Sequence, residues 1–455
     1  MKWPVLFLFI LAGPAIMAWL RTNPPRAHLA WSALSFLPFV IAPWHLSVAP
    51  YATPGWSGYV KGWEFSLLDA VAIGVLFGTR GPRPKLKFLL PFLAYFVAVF
   101  FALFQARFFN LALGYPLQLA RVGLVLLAAS RVAMMERGER AILVGLIAGI
   151  TVQALYAIAA RAGGALQTGG SLGHQNLLGF VSHMVLIPSF GMLLAGRWPK
   201  PALLGSIAGL IVVSLTASRA TIAIAGAGLV LTLLISLVVR MTARKAAVGM
   251  LGILLLGLSA PLAYEALQRR AAVQNINLLD GDAERIAFET AAKAMLAAKP
   301  MGVGPNHYVF IANTEGYNER AGVNWAVGNR NANVHNSYLL VAAETGYLGL
   351  ATMVLLLASS IWLAFSTAIK FRREPGAEVL IGVGVGLLAI VAHGFAEWMF
   401  LVFPVQYVFA CSLGLIVGMR SRFLAKRERE RRHQQMVRSL GSLTPAPSEG
   451  RLLPA

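Results

Sequence analysis

Acidic residues and cysteine are scarce in this chain of 455 residues, which has 18 Asp and Glu, one Cys and only 13% charged residues. Soluble domains carry about 25% charged residues, so this composition excludes a disordered chain and nearly all soluble enzymes. One cysteine also excludes an intrachain disulfide framework. Because Cys411 lies in an apolar run, we predict a packed, small apolar side chain there.

Apolar residues are abundant instead, at 58% of the chain, and the mean hydropathy is +0.68. Long apolar runs without a two-residue period indicate membrane helices rather than barrel strands. We therefore predict an all-α, polytopic integral membrane protein with about 12 or 13 transmembrane helices. The candidate spans are 4–20, 28–46, 64–79, 88–105, 109–130, 141–160, 175–196, 201–217, 220–239, 246–262, 338–365, 377–396 and 399–419.

The formal charge of +21 is distributed unevenly along the chain. About two thirds of the 39 basic residues lie in alternate connections between the predicted spans and in the C-terminal tail. The positive-inside rule places this side, and the C-terminus, in the cytoplasm. The excess charge thus indicates topology and contact with anionic lipid, and it does not favour nucleic-acid binding. An odd number of spans would put Met1 outside.

Four regions follow from this pattern. Residues 1–262 form a predicted helical bundle, 263–337 a large loop outside the cytoplasm, 338–419 further membrane helices, and 420–455 a basic cytoplasmic tail that is partly disordered. We interpret segment 4–20 as a retained span rather than a signal sequence, because no small-residue cleavage site follows it. The long loop is locally neutral, and we expect the chemistry there.

Two polar clusters lie on the predicted outer face before the loop. In SLGHQNLLGF, the residues His174, Gln175 and Asn176 stand at the start of a span, where they either cap the helix or contact substrate. In LTASRAT, Ser218 and Arg219 lie between two apolar runs. An arginine at this depth either snorkels to the interface or binds an anion.

The loop contains DAERIAFETAAKAML, which is amphipathic and is predicted to lie along the outer membrane surface. Arg285 stands on its polar face, one turn before Glu289, and an i,i+4 ion pair between them would be the structural alternative to a functional role. The apolar face carries Phe288, Ala292, Met295 and Leu296. Pro and Gly in KPMGVGPNHY then force a turn.

The loop returns to the membrane at NVHNSYLLVAAETGYLGL. His335 lies at the interface, where an imidazole suits either acid–base chemistry or simple hydrogen bonding. Glu344 lies inside the following span and needs a partner, for which an outer-face arginine is the expected candidate. The sequence contains no H-E-x-x-H, cysteine cluster, D-x-D or nucleotide-binding loop, so we predict neither a metal nor a nucleotide site.

The order GHQNLLGF, TASRA, ERIAFETAAKAMLAAKPMGVGPNHY and NVHNSYLLVAAETGYLGL resembles the O-antigen ligase and polymerase superfamily of bacterial envelope glycosyltransferases. The motifs cover about residues 170–355. The resemblance implies transfer of a glycan from undecaprenyl diphosphate to an acceptor hydroxyl, such as that of lipid A-core, on the periplasmic face of the inner membrane. It also implies an inverting reaction that needs no metal or cofactor.

The family pattern has an arginine in the outer hairpin, a second at the loop helix and a histidine at the loop's return. These positions match Arg219, Arg285 and His335, which we therefore predict to be catalytic. We expect five further residues to contact or orient substrate, namely His174, Asn176, Asn336, Tyr338 and Glu344. The predicted partners are a lipid-linked glycan donor, a glycolipid or glycan acceptor, and membrane lipids.

Several other functions remain open at the level of sequence. A polymerase would use the same chemistry with a second lipid-linked glycan as acceptor, and a protein O-oligosaccharyltransferase would use a protein acceptor. A transporter or flippase would place its ionisable residues at mid-membrane or in broken helices. Here the candidate residues cluster on one face, apart from Glu344 and Arg121, which favours interfacial chemistry.

Overall fold

The fold is a bundle of long helices, and the computed structural model describes residues 2–274, 281–326 and 328–441. In this part of the chain, eight helices are long and apolar enough to cross a membrane, and three shorter apolar helices accompany them. The predicted class, mostly helical and polytopic, is confirmed at this level. The predicted disordered end of the tail, 442–455, lies outside the described residues.

The helices begin with α1 (Lys2–Thr22), α2 (Ala27–Phe36), α3 (Leu67–Gly78), α4 (Leu90–Ala102), α5 (Phe109–Ala112), α6 (Gly114–Ala133), α7 (Gly138–Ala162), α8 (Gln175–Leu194), α9 (Pro199–Leu215) and α10 (Arg219–Val239). They continue with α11 (Ala243–Gln274), α12 (Gly281–Ala298), α13 (Tyr308–Thr314), α14 (Tyr317–Arg320), α15 (Ser337–Lys370), α16 (Val379–His393) and α17 (Phe403–Gly441). Short 3₁₀ helices lie at Pro24–Arg26, Leu37–Phe39, Leu86–Leu89, Leu103–Gln105, Gly170–Leu172 and Met399–Leu401.

A two-stranded hairpin, β1 (Ser47–Ala52) with β2 (Gly62–Ser66), differs from the all-helical expectation. The predicted span 28–46 is helical only as far as Phe36 and a 3₁₀ turn at Leu37–Phe39, because the ring of Pro38 cannot continue an α-helical ladder. The predicted span 64–79 begins as strand, and α3 starts only at Leu67. There the Asp69 carboxylate accepts a hydrogen bond from the Ser66 amide at 2.7 Å.

The basic connections gather at one end of the bundle, which we call the basic end. Arg131 donates to the Thr79 carbonyl at 3.0 Å, and Arg197 pairs with Glu139 at 3.3 Å. Further ion pairs join the connections and α17 there, namely Arg422–Glu139, Lys245–Glu378 and Lys426–Glu374. The contacts of these side chains thus group the charges as the alternating pattern predicted.

The opposite end, which we call the loop end, holds the starts of α8, α10 and α15 together with α12, α13 and α14. Helix α11 continues through Pro261 to Gln274, beyond the predicted loop boundary at 263. Helix α12 ends at Ala298, just before the predicted turn. Its apolar side chains Phe288, Ala292 and Met295 are buried against the protein, on α15 and α14, so the prediction that this face lies on the membrane is wrong.

Glu344 anchors the loop end. The prediction that an arginine would be its partner is wrong. Its carboxylate is buried and accepts hydrogen bonds from the Tyr59 hydroxyl at 2.7 Å and from the amides of Asn306 at 2.8 Å and Tyr308 at 2.9 Å. Three aligned donors replace a cation, because hydrogen bonds to a carboxylate offset its loss of water. They join α15 to the hairpin and to the turn that follows α12.

Candidate active site

A cavity of about 530 Å³ opens at the loop end, where separate helix termini converge. Its lining comes from the start of α8, the α9–α10 turn, the first turns of α12, the end of the loop and the connection between α16 and α17. The lining residues are Gln167, His174, Gln175, Asn176, Ser218, Arg219, Ala220, Ala223, Arg285, His335 and Glu397. Five residues that the sequence predicted for the site thus share one cavity with Glu397.

Glu397 is the common partner of three of these side chains, although only 2% of its side chain is exposed. One carboxylate oxygen accepts from Asn176 Nδ2 at 2.5 Å and lies 3.1 Å from Arg285 Nη2. The other lies 3.0 Å from His335 Nδ1. The carboxylate therefore fixes residues from α8, α12 and the loop's return relative to each other.

The electrostatics of Glu397 reflect these contacts. Burial alone would raise the pKa of the carboxyl, since a low-dielectric site disfavours charge. The hydrogen bond from His335, together with the electrostatic influence of His335, Arg285 and His174, outweighs burial and holds the pKa below its ordinary value. Glu397 is therefore ionised at neutral pH, and an ionised carboxylate can only accept hydrogen bonds.

His335 is oriented by this carboxylate. Since Glu397 can only accept, the Nδ1 atom of His335 carries a proton, and in the neutral ring Nε2 is then the basic nitrogen. The loop behind it is fixed as well, because the Ser337 hydroxyl donates to the Glu397 carbonyl at 2.7 Å and the Ser337 amide donates to the Gly394 carbonyl at 2.8 Å. The side chain of His335 is 30% exposed, which leaves it accessible from the cavity.

Two guanidinium groups border the same cavity. Arg285, on the first turns of α12, contacts Glu397 with one nitrogen and keeps 42% of its side chain exposed. The ion pair between Arg285 and Glu289, which the sequence offered as the structural alternative to a functional role, does not form. Glu289 pairs with Lys293 at 3.3 Å instead. Arg219 is exposed at the first position of α10, directly after the N-cap Ser218. Among the described lining residues, two arginines stand against one carboxylate, a composition that suits an anion.

His174 is the N-cap of α8, and its Nδ1 accepts from the Asn176 amide at 3.2 Å. Burial lowers the pKa of His174, and the neighbouring His335 lowers it further, against an opposing effect of Glu397. The neutral ring is the form that can accept this hydrogen bond. Because His174 caps the helix, the Asn176 side chain is available to donate to Glu397.

Asn336, Tyr338 and Glu344 do not line this cavity. Asn336 caps α15 by accepting from the amides of Tyr338 at 3.0 Å and Leu339 at 3.1 Å. The Tyr338 hydroxyl donates to the Val391 carbonyl at 2.7 Å, and Glu344 anchors the turn described above. In these contacts the three residues cap α15, join it to α16 and anchor the turn after α12.

Sequence reasoning missed Glu397 and did not single out Gln167, which also lines the cavity. The signal for Glu397 was present in the segment HGFAEWMF, where one carboxylate stands between two apolar runs. A carboxylate at that depth needs partners, as Glu344 does.

Comparison with known proteins bears on the same part of the chain. Residues 204–354, about a third of the chain, match the family described as O-Antigen ligase, and this match confirms the resemblance to the O-antigen ligase superfamily. The matched segment includes Arg219, Arg285 and His335. The match supports a function of the O-antigen ligase or polymerase type, which is glycosyltransferase-like. A search among curated proteins found no match.

Proposed function

We propose that this protein transfers a glycan from undecaprenyl diphosphate to the hydroxyl of a glycolipid acceptor such as lipid A-core. The observation that carries the proposal is the His335–Glu397 pair beside Arg285 and Arg219 in one cavity. A base and an anion site side by side meet the two needs of this reaction, which are activation of a hydroxyl and stabilisation of a departing diphosphate.

The donor's diphosphate binds Arg219 and Arg285 in this proposal. Arginine offers planar, paired donors to phosphate oxygens, and each charged hydrogen bond contributes about 1.5–3 kcal/mol. As the bond between the anomeric carbon and the phosphate oxygen breaks, negative charge grows on the leaving group. Fixed guanidinium groups stabilise that charge without a metal ion.

His335 acts as the general base. The acceptor oxygen attacks the anomeric carbon while its proton passes to Nε2 of His335, and the diphosphate leaves from the opposite face, so the anomeric centre inverts. Ionised Glu397 stabilises the imidazolium that forms, in the same way that a carboxylate supports the histidine of a catalytic triad. His174 and Asn176 orient the donor or the acceptor at the cavity wall.

The cavity opens to the periplasm and the basic end faces the cytoplasm of a bacterial inner membrane in this proposal. Such an orientation follows the positive-inside rule and puts the C-terminus inside. Thirteen crossings, with Met1 outside, accommodate the described helices if α2, α3, α9, α11 and α16 also span. In this proposal residues 1–262 and 338–419 form the membrane bundle, the periplasmic loop predicted for 263–337 begins only after α11, and residues 420–455 form the cytoplasmic tail.

The deciding experiment reconstitutes the full chain with an undecaprenyl-diphosphate glycan and offers lipid A-core or a second lipid-linked glycan as acceptor. We expect transfer to lipid A-core, with equal rates in the presence and absence of chelator. Growth of the glycan on the second donor instead would identify a polymerase.

The variants His335→Ala and Arg285→Ala should abolish transfer while the protein stays folded. Lys293→Ala provides the matched control, because this exposed residue lies on α12, two turns after Arg285. If both site variants keep the full rate, the assignment of the site is wrong. Lipid movement across the bilayer without glycosidic transfer would indicate a flippase.

A further inference from the structure

We infer that a second cavity, which shares no lining residue with the candidate active site, binds a zwitterionic phospholipid with a primary ammonium group. This cavity of about 570 Å³ lies between the β1–β2 hairpin, the first turns of α6 and Phe403 at the start of α17. We call it the hairpin cavity. The inference does not depend on the proposed transfer reaction.

The walls of the hairpin cavity suit an acyl chain. Leu117, Ala120 and Leu124 follow each other at three- and four-residue spacing, so they form a stripe on one face of α6. Phe65 and Phe403 complete an apolar lining. From Gly114 to Leu124 the helix rises about 15 Å, which matches the depth of a lipid headgroup with the upper part of its chains. Phe65 is 46% exposed, so the cavity has an open apolar side.

The hairpin supplies a charged end to the same cavity. Lys61 and Glu64 line it together with Arg121, which is bound to Asp69 at 2.9 Å. Glu64 lies 3.6 Å from Arg121 Nη1, beyond hydrogen-bonding distance, and 26% of its side chain is exposed. Lys61 is exposed and also reaches the Trp56 carbonyl. Glu64 therefore has capacity for a further donor at the cavity surface.

Charge complementarity selects the headgroup. Asp69, which lies outside the lining, neutralises Arg121, and Glu64 balances Lys61, so this end of the cavity has no net charge to attract a purely anionic lipid. A phosphoethanolamine headgroup places its phosphate on Lys61 and its ammonium on Glu64. A choline headgroup has the same charges but no N–H to donate, which makes the Glu64 contact the distinguishing one.

Lipid binding to the purified full chain tests the inference by native mass spectrometry. Phosphatidylethanolamine, phosphatidylcholine and phosphatidylglycerol with identical acyl chains are compared. We expect a preference of about tenfold for ethanolamine over choline, the size of one charge-assisted hydrogen bond. Glu64→Gln should remove this preference, and Lys61→Gln should weaken both lipids. Lys293→Gln, on the exposed face of α12, should change neither.

Ala120→Trp provides a second test, because an indole at this position fills the hairpin cavity and should exclude all three lipids. Equal binding of ethanolamine and choline lipids to the unmodified chain would overturn the inference. Stronger binding of phosphatidylglycerol would do the same, as would an unchanged preference in Glu64→Gln or undiminished binding in Ala120→Trp. Each readout is lipid binding, so a failure here is distinguishable from a failure of the proposed transfer.

Discussion

Glu397 accepts contacts from Asn176, Arg285 and His335, which are far apart in the sequence. A carboxylate so buried is costly unless its partners satisfy it, and these partners do so while being positioned themselves. The same group therefore holds the proposed anion site and orients the proposed base. Its removal should therefore lower the rate of the chemical step.

We predict that Glu397→Gln lowers the rate of transfer by about 10²-fold, because the amide cannot stabilise an imidazolium as a carboxylate does. The measurement is the initial rate at saturating donor and acceptor, with the folded state checked by thermal unfolding. Glu289→Gln on α12 is the control, since Glu289 pairs with the exposed Lys293. A Glu397→Gln rate equal to that of the control would rule out the positioning role.

The lowered pKa of His174 leads us to predict that the stability of the folded protein depends on pH. Its pKa is lowered in the folded protein by burial, so the unfolded chain binds a proton more readily. The stabilisation is therefore fully present above the ordinary value of about 6.5 and is lost as the pH falls through the lowered folded-state pKa. His174→Asn keeps a capping side chain but does not titrate, so its unfolding temperature should vary less between about pH 8 and pH 5.

Thermal unfolding of the purified chain across that range provides the measurement. His433→Asn, at an exposed position on α17, is the control and should follow the unmodified protein. Identical pH profiles for His174→Asn and the unmodified chain would contradict this prediction.

At the scale of elements, α15 is interrupted at Gly346, where φ is 68° and ψ is −172°. The turn after α12 packs into this break, and the Tyr347 amide donates to the Pro300 carbonyl at 3.2 Å. A Cβ atom on Gly346 would lie 2.5 Å from that carbonyl oxygen. The glycine thus permits both the left-handed backbone and the close approach of the loop.

Gly346→Ala should therefore destabilise the protein by about 1–3 kcal/mol or more, and loosen the loop that carries Arg285. Thermal unfolding and limited proteolysis of the loop measure the two effects. Gly226→Ala is the matched control, because Gly226 lies within α10 and an added Cβ would meet nothing within 4 Å. That substitution should be neutral or stabilising. Equal stability of the two variants would show that the break tolerates a side chain.

At the scale of the whole molecule, charge separates the two ends of the bundle. The basic end is held by buried or partly buried acids, of which Glu139 contacts both Arg197 and Arg422. The loop end contains the candidate active site. If the proposed orientation holds, reagents that cannot cross the membrane should reach the loop end alone in intact cells with a permeable outer membrane.

Cysteine labelling tests this orientation. Glu319→Cys, exposed at the loop end, should react with a membrane-impermeant maleimide in spheroplasts, whereas Arg373→Cys at the basic end should react only after permeabilisation. The native Cys411 is buried and serves as the internal negative control. Labelling of Arg373→Cys in sealed spheroplasts would reverse the proposed orientation.

Hydropathy, loop charge and helix-breaking residues were sufficient for the helical class, for the grouping of basic connections and for the end of α12 before Pro300. The convergence of Arg219, Arg285 and His335 was expected from the family resemblance, and their catalytic roles stay predictions. The hairpin was missed because β1 directly follows the predicted span 28–46 and β2 overlaps the start of the predicted span 64–79. Both strands therefore resemble the ends of apolar helices in the sequence. The face of α12 that carries Phe288 was predicted to lie on the membrane, but it packs against the protein. Amphipathicity identifies an apolar face without identifying what covers it.

Local composition by itself determined which segments are apolar enough for a membrane and on which side the basic residues collect, because both depend on nearby residues along the chain. Tertiary structure alone decided that Glu397, rather than an acid in the loop, joins His335 and Arg285, and that Tyr59 with two backbone amides satisfies Glu344. The contact of His335 with Glu397 joins residues 62 positions apart, and that of Tyr59 with Glu344 joins residues 285 positions apart. Their partners are chosen by the packing of whole helices, since a buried carboxylate is stable only where several donors meet it.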